Sequence, residues 1–568
     1  MNPPQTKRWR ILRRCLVSLG VFVTLIGLFY TEELWRGKWA WENCKHALEA
    51  QGVDFNWADY IPAPVPDNDN VFGVPEMKKW FPGRHGGTEL SKKLSYPGFS
   101  CWTNSMAVAE VTIGLPGMPA PGGSVVLRWD DPASPAQAAR LLTNALGPTA
   151  NAPQSTMGIG FMLRRPEEVQ VARIILQCQT APTRQELQGF LPDHICDDPL
   201  YLQPQGNSSY QVTVPMLASA ADYLAWSEQL EPQFALIRQA LQRPVLRMEG
   251  DYADPVDMPI PNFVTIRSFA QTLGARAQCH FLLGQPGEAL RDVTLLHDSC
   301  RLMDESRPMS LVAAMVNVAV RGLYIDIIAD GVRMQAWREG QLAALQEQLK
   351  SINLLQPVKQ AFEMERVSTC RNFETVTAAQ IEKGLNSFSS RKTNSWTELR
   401  DSAFAELIPR GWVYQYIVTS VDLDTKLNSG LDPAGQIVFP GKINAVTGKA
   451  GAAFSHCSPY ASIVSWMAPH FGRACQVTAR NQTRVNQALI ACALERYHLA
   501  RGEYPETLDA LIPRYIDKIP HDVIGGRPPH YHRAADGTFL LYSVGWNGRD
   551  NGGARGKSNA DGDWIWPN

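Results

Sequence analysis

The chain has 568 residues, with 54 Lys+Arg against 55 Asp+Glu and 45% hydrophobic residues. That length exceeds one ordinary core and implies about three or four units. The balanced charge, with no basic cluster beyond the N-terminus, excludes a nucleic-acid surface, and the apolar content excludes extensive disorder.

Residues 1–31 read as a basic tail and a membrane anchor. Lys7, Arg8, Arg10, Arg13 and Arg14 precede an uncharged apolar run from Cys15 to Tyr30. Its sixteen residues rise about 24 Å as helix, slightly short of a hydrocarbon layer of roughly 30 Å. Snorkelling of Arg13 and Arg14, with Tyr30, Trp35 and Trp39 at the far interface, makes up the difference. The basic flank predicts a cytoplasmic N-terminus and an extracytoplasmic bulk. A cleaved signal peptide shares the basic start, but Gly27 to Glu32 lacks the small-x-small pattern that cleavage needs.

Residues 32–70 are expected to be a juxtamembrane helix ending near Gly52, then a semi-rigid spacer built on Pro62, Pro64 and Pro66. Residues 71–215 read as a small mixed α/β region. Its strands fall at Ser124–Trp129, Val169–Gln177 and Tyr210–Val214, with a helix over Ser134–Leu146. Residues 216–386 are almost wholly helical. Asp222–Gln242 and Ile266–Leu283 are amphipathic, and a Gly284–Gly287 turn leads into Glu288–Met303. Small residues at Ala275, Cys279 and Ala289 resemble one tetratricopeptide-type hairpin, without a 34-residue period. Ser310–Gly331 carries Arg321, Asp326 and Asp330 and reads as a buried bundle helix, not a second span. Residues 387–475 are loop-rich, with Leu427–Gly435 and Gly441–Gly451 expected as surface loops.

Residues 476–568 form the last unit. Val485, Ala488, Leu489, Cys492 and Leu499 recur at helical spacing over Thr478–Ala500; Gly502 caps the helix and Pro505 prevents its continuation. Thr507 opens a short helix, and strands Pro529–Arg533 and Thr538–Ser543 are joined by Ala535-Asp-Gly537. Ala493 to Tyr497, Gly502-Glu-Tyr-Pro505, Ile519-Pro-His-Asp522 and Tyr542-Ser-Val-Gly545 through Asp561-Gly-Asp563 resemble the soluble domain of the major pseudopilin of type II secretion systems. The resemblance implies a long helix laid on a small antiparallel sheet, an envelope location and a calcium ion in the last loop. Carried over by position, Asp561 and Asp563 match the paired acidic ligands and Asn547 stands where that family has an acid, with Asp550 a further carboxylate nearby. The whole layout also looks like large membrane-anchored bacterial proteins, which places it at the inner membrane.

From composition alone, Asn547–Gly553 and Asn559–Asp563 provide the short oxygen side chains and glycines that calcium takes. The same residues also suit a turn-rich loop, with Arg549, Arg555 and Lys557 able to pair with the carboxylates. His530 and His532 share a strand face near His521 and Asp522, which exposed strand histidines explain without a metal. Glu363 and Glu365 read as a salt-bridged helix face. The eleven cysteines form no C-x-x-C pair; an oxidising compartment permits a bridge such as Cys178–Cys196, and buried free thiols are the competing reading. No nucleophile elbow, P-loop, dinucleotide motif or H-E-x-x-H is present.

The expectation is thus an α+β, mainly α protein, with an anchor, a small α/β region, a helical middle and a pseudopilin-like end. It acts as a membrane-bound scaffold or protein-binding module in the envelope. The alternative is an envelope hydrolase with its site in 71–215 and the loops.

Overall fold

The computed structural model describes residues 4–83, 86–94, 111–114, 124–128, 171–177, 202–204, 209–215, 220–255, 257–305, 307, 310–377, 379–380, 406–454, 462–556, 558 and 560–566. The molecule is mainly helical, with small antiparallel sheets.

Helix α1 runs unbroken over Pro4–Glu49, 46 residues or about 69 Å. Its apolar stretch through Phe29 is exposed on every side, whereas Glu33, Trp41 and Leu48 are buried. Gly52, at φ +84°, closes the end, with Val53 N donating to Leu48 O. The proline segment does not lift the rest of the chain away. Arg247 Nε holds Pro62 O at 3.1 Å, Arg243 holds Asp67 O at 2.7 Å, and Val71 pairs with Val245. Its backbone carbonyls, left without internal partners by the prolines, are taken up by the helical body.

Short helices α2 (Pro75–Trp80) and α3 (Glu89–Lys93) seal one side, where Phe81 stacks edge-on against Phe269 at 6.1 Å. A five-stranded antiparallel sheet follows, in the order β1-β2-β3-β5-β4. Strands β2 (Ser124–Arg128), β3 (Val171–Gln177) and β5 (Ser209–Pro215) are the expected ones; β1 (Val111–Gly114) and β4 (Leu202–Pro204) are additional. The expected helix over 134–146 lies outside the described residues.

The helix expected over 222–242 is split into α4 (Ala220–Ser227) and α5 (Glu231–Ala240), because Pro232 restarts the helix at its first turn. Helices α6 (Phe263–Leu282) and α7 (Pro286–Ser299) form the expected hairpin, turned by Gly284 at φ +69°. After α8 (Arg301–Asp304) comes α9 (Leu311–Arg333), flanked by α6, α7 and the later helices. Both α1 and α9 are long and apolar enough to cross a membrane, but 61% of the apolar window of α9 is buried in the body. Its apolar residues lie all round because neighbours surround it. Helices α10 (Glu339–Lys350) and α11 (Leu355–Thr375) close this layer.

Two stretches expected as loops are ordered differently. Helix α12 (Arg410–Asn428) runs into a hairpin of β6 (Leu431–Asp432) and β7 (Ile437–Val438), and 441–451 lies inside α13 (Pro440–Phe454). Pro440 opens α13, and Ile443 fills the space that a side chain at Gly430 would need. Packing of that isoleucine outweighs the glycines.

Helix α14 (Ser462–Arg501) extends further back than expected and is the spine of the molecule. One flank meets α9, α10, α11 and α13; the other carries a three-stranded sheet in the order β10-β9-β8. Its residues 485–495 are buried on every side. Buried polar side chains tie both flanks to backbone. Gln482 bonds Ile352 O and Leu354 N, Asn486 bonds His521 O, and Gln487 bonds Trp564 O at 2.7 Å. Strands β8 (His530–Arg533) and β9 (Phe539–Ser543) match the predicted hairpin, with Gly537 at φ +85°, and β10 (Trp564–Ile565) adds a third strand.

Candidate functional site

The four predicted calcium ligands all lie in the loop between β9 and β10, which bends at Gly545, Gly548, Gly552, Gly553 and Gly562, each at positive φ. Asp563 is its inner fastener. It is only 4% exposed, and its carboxylate accepts from Asn551 N at 3.0 Å and Gly553 N at 2.7 Å. Asp550 turns another way. One oxygen accepts from Gly552 N at 2.8 Å and Tyr542 Oη at 3.1 Å, and the other lies 3.5 Å from His530 Nδ1. The Gly552 amide chiefly holds the Asp550 carboxyl below its ordinary range, helped by Tyr542 and His530. Asp561 accepts from Ser558 Oγ at 2.8 Å, while Asn547 accepts from Arg549 N and donates to Asn551 Oδ1.

The structure thus brings the four residues into one loop but sends their oxygens to separate hydrogen-bond donors. Among the described residues, no three His, Cys, Asp or Glu side chains converge as a metal site. As folded, the loop is closed by its own amides, with Asp563 accepting from Asn551 N and Gly553 N. Asp563→Ala should therefore lower stability by about 3 kcal/mol, because two inward amides lose their acceptor. Thermal melting with calcium and with chelator tests the ion: a calcium-dependent rise in the native chain that is lost in Asp563→Ala supports it, and an unchanged midpoint removes it.

The neighbouring histidines serve the sheet. His530 stacks on Tyr542 at 4.8 Å, and His532 is exposed. Asp522 is buried and accepts from Ile524 N, Ser543 Oγ and Val544 N at 2.9, 2.7 and 3.1 Å, pinning a turn to the end of β9. Burial pushes its carboxyl up, with those three donors opposing.

A second polar group was not apparent from sequence. Glu365 departs from the salt-bridged helix face expected for Glu363 and Glu365. It turns inward to accept from Leu311 N, at the start of α9, beside Trp57 and Met258 in a cavity of about 210 Å³. On α12, Asp424 is 3% exposed; its Oδ1, Asn428 Oδ1 one turn on, and Arg366 Nε are buried without a hydrogen-bond partner. Burial pushes the Asp424 carboxyl well above its ordinary range; Glu365 adds to this and Arg366 opposes it. The only sequence signal is a four-residue spacing inside the apolar pattern of Val421 and Leu427.

A carboxyl with a raised folded pKa binds its proton more tightly in the folded state, so its stabilising contribution is complete below the unfolded pKa. It is lost as pH rises through the folded value. Asp424→Asn should match the native chain near pH 4 and exceed it by about 1–2 kcal/mol near pH 8, in urea unfolding. Equal stability of the two at both pH values would refute this.

Seven described cysteines are free, and burial pushes Cys279, Cys300, Cys475 and Cys492 up to about 12, which leaves them unreactive thiols. Cys178 and Cys196 lie outside the described residues, as does most of the 71–215 region in which the alternative reading places a hydrolase site. No known protein family, curated protein or solved structure matches the chain.

Proposed function

We propose that this protein is a single-pass scaffold of the bacterial inner membrane, with a cytoplasmic N-terminus and an extracytoplasmic body that binds other proteins. The observation that carries this reading is the continuity of α1. The helix passes from a wholly exposed apolar stretch into a close crossing with α12. There, Gly37 and Gly411 meet so tightly that a Cβ on either would lie 2.2 or 1.9 Å from opposing backbone oxygen. Tyr30 donates to Leu407 O and Trp41 Nε1 to Glu374 Oε1 at 2.7 Å, so the end of the apolar stretch is bonded to the body.

Trp35 and Trp39, stacked at 6.3 Å and exposed, stand just beyond that stretch, at the height where amphipathic rings settle in a bilayer interface. Arg13 and Arg14 mark the opposite end and the cytoplasmic side. The pseudopilin-like end, clasped to the bundle through α14, would serve as the part that meets partners.

The test is alkaline carbonate extraction, followed by protease added to spheroplasts. The full-length chain should stay with the membrane pellet and its body should be digested from outside, sparing an N-terminal tag. Release by carbonate, or protection of the body, would reject the topology. Affinity purification from those membranes then names the partner proteins.

A further inference from the structure

We propose that the cleft between α13, α14 and the C-terminal loop binds a phosphate-bearing ligand. The cleft encloses about 700 Å³, within the size range of ligand sites, and is walled by Gly441 and Asn444 of α13, Arg473 and Gln476 of α14, and Asn547 of the loop. Its chemistry is one-sided. Gln476 Nε2 is buried with no acceptor. Asn444 Oδ1 is already taken by Trp546 Nε1 at 3.0 Å, so the spare group of that amide is its NH₂. The wall also holds the start of α13, where Pro440 has no N–H and the Lys442 and Ile443 amides donate to Phe439 O, leaving the Gly441 N–H as the donor at the cleft.

Positive charge continues from the cleft along α14. Arg473 lines the cleft, Arg480 stands one turn beyond Gln476 and Arg484 one turn further, and Arg555 of the loop acts on Arg480 across the gap. Arg484 is paired with Asp326. Among the described residues, the side chains of Arg473, Arg480 and Arg555 make no hydrogen bond or ion pair. Burial, together with Arg484 and Arg555, pulls the Arg480 guanidinium below its ordinary pKa, and Asp326 opposes.

Asp326 is engaged by Arg484, and a further anion would offset the repulsion between Arg480 and Arg555. A carboxylate offers two oxygens, fewer than the donors waiting here. A phosphate offers three or more with greater charge, and guanidinium forks match it in pairs. The same chemistry occurs in soluble phosphoesters and in phospholipid headgroups.

The experiment titrates the detergent-solubilised full chain by calorimetry, at fixed ionic strength, with pyrophosphate and separately with glycerophosphoglycerol, a lipid headgroup fragment. Saturable binding is expected, at least ten-fold weaker in Arg480→Gln and in Arg473→Gln. It should be unchanged in Arg514→Gln, whose guanidinium lies over Tyr515 at 5.4 Å. Tighter binding of pyrophosphate identifies a soluble phosphoester as the source, and tighter binding of the diester identifies a headgroup. Arg480→Gln should melt no lower than the native chain without ligand, since it relieves repulsion, so lost binding is not lost folding. No saturation by either probe, or equal loss in Arg514→Gln, overturns the site.

Discussion

Gly411→Val is expected to unseat α1 from the body. A Cβ at Gly411 would lie 1.9 Å from Glu33 O, and one at Gly37 would lie 2.2 Å from Gly411 O. Both obstacles are backbone, so no rotamer change relieves them, and the two helices must separate. Separation uncovers Trp41 and Leu48, which pack with Cys370, Ile417 and Val421. It also leaves Glu33, 5% exposed and paired with Arg36 at 2.7 Å, without its enclosure.

Overpacking alone costs about 1–3 kcal/mol, and the lost burial of Trp41 raises the total to about 4 kcal/mol. Thermal melting should fall accordingly, and limited proteolysis should newly cut between residues 31 and 56. Gly20→Ala is the internal control, because nothing lies within 4 Å of its Cβ position. Equal melting of all three chains would remove the crossing as the point of attachment.

The second large effect concerns Arg276 and Asp292, an ion pair buried between α6 and α7. Arg276 Nε lies 2.9 Å from Asp292 Oδ2, and the side chains are 8% and 2% exposed. The guanidinium also donates to Ser227 Oγ at 2.7 Å, approaches Glu231 at 3.7 Å and lies over the Phe234 ring at 5.2 Å. It thereby fastens α4 and α5 onto the hairpin.

Asp292→Ala strands that guanidinium in the interior and should cost about 3–5 kcal/mol in urea unfolding. The double variant Arg276→Met with Asp292→Leu removes both charges and should recover much of the loss. If the double variant is as unstable as the sum of its parts, the electrostatic account of the pair is wrong and packing carries it.

The legible parts of the sequence were those with a long period or a strong break. The apolar run before Tyr30, the surrounded helix at 311–333 and the stop at Gly502 are set by local chemistry, and they lie where that chemistry puts them. Helix α13 was illegible because Gly441, Gly448 and Gly451 favour a loop, and only the seat of Ile443 beside Gly430 argues otherwise. The proline segment misled in the opposite sense, since its anchors, Arg243 and Arg247, lie some 180 residues away.

In the last unit the residues were identifiable and their partners were not. Asp563 could be named from Asp561-Gly-Asp563, but its bonds to Asn551 and Gly553 depend on how the loop folds back. Glu495 and Tyr504 are joined by a 2.8 Å hydrogen bond, with His498 stacked on Tyr504 at 4.5 Å. The cluster of Arg480 and Arg555 crosses between elements 75 residues apart and leaves no pattern in one dimension.

The stiffness of α1 has a consequence for how such a body meets others. A globule on a loose tether sweeps a hemisphere above its root, whereas one welded to an unjointed rod has a fixed elevation and tilt. If the rod stands in a bilayer, encounters reduce to a search within a plane. Any protein that engages the body must then come to it at that height and tilt.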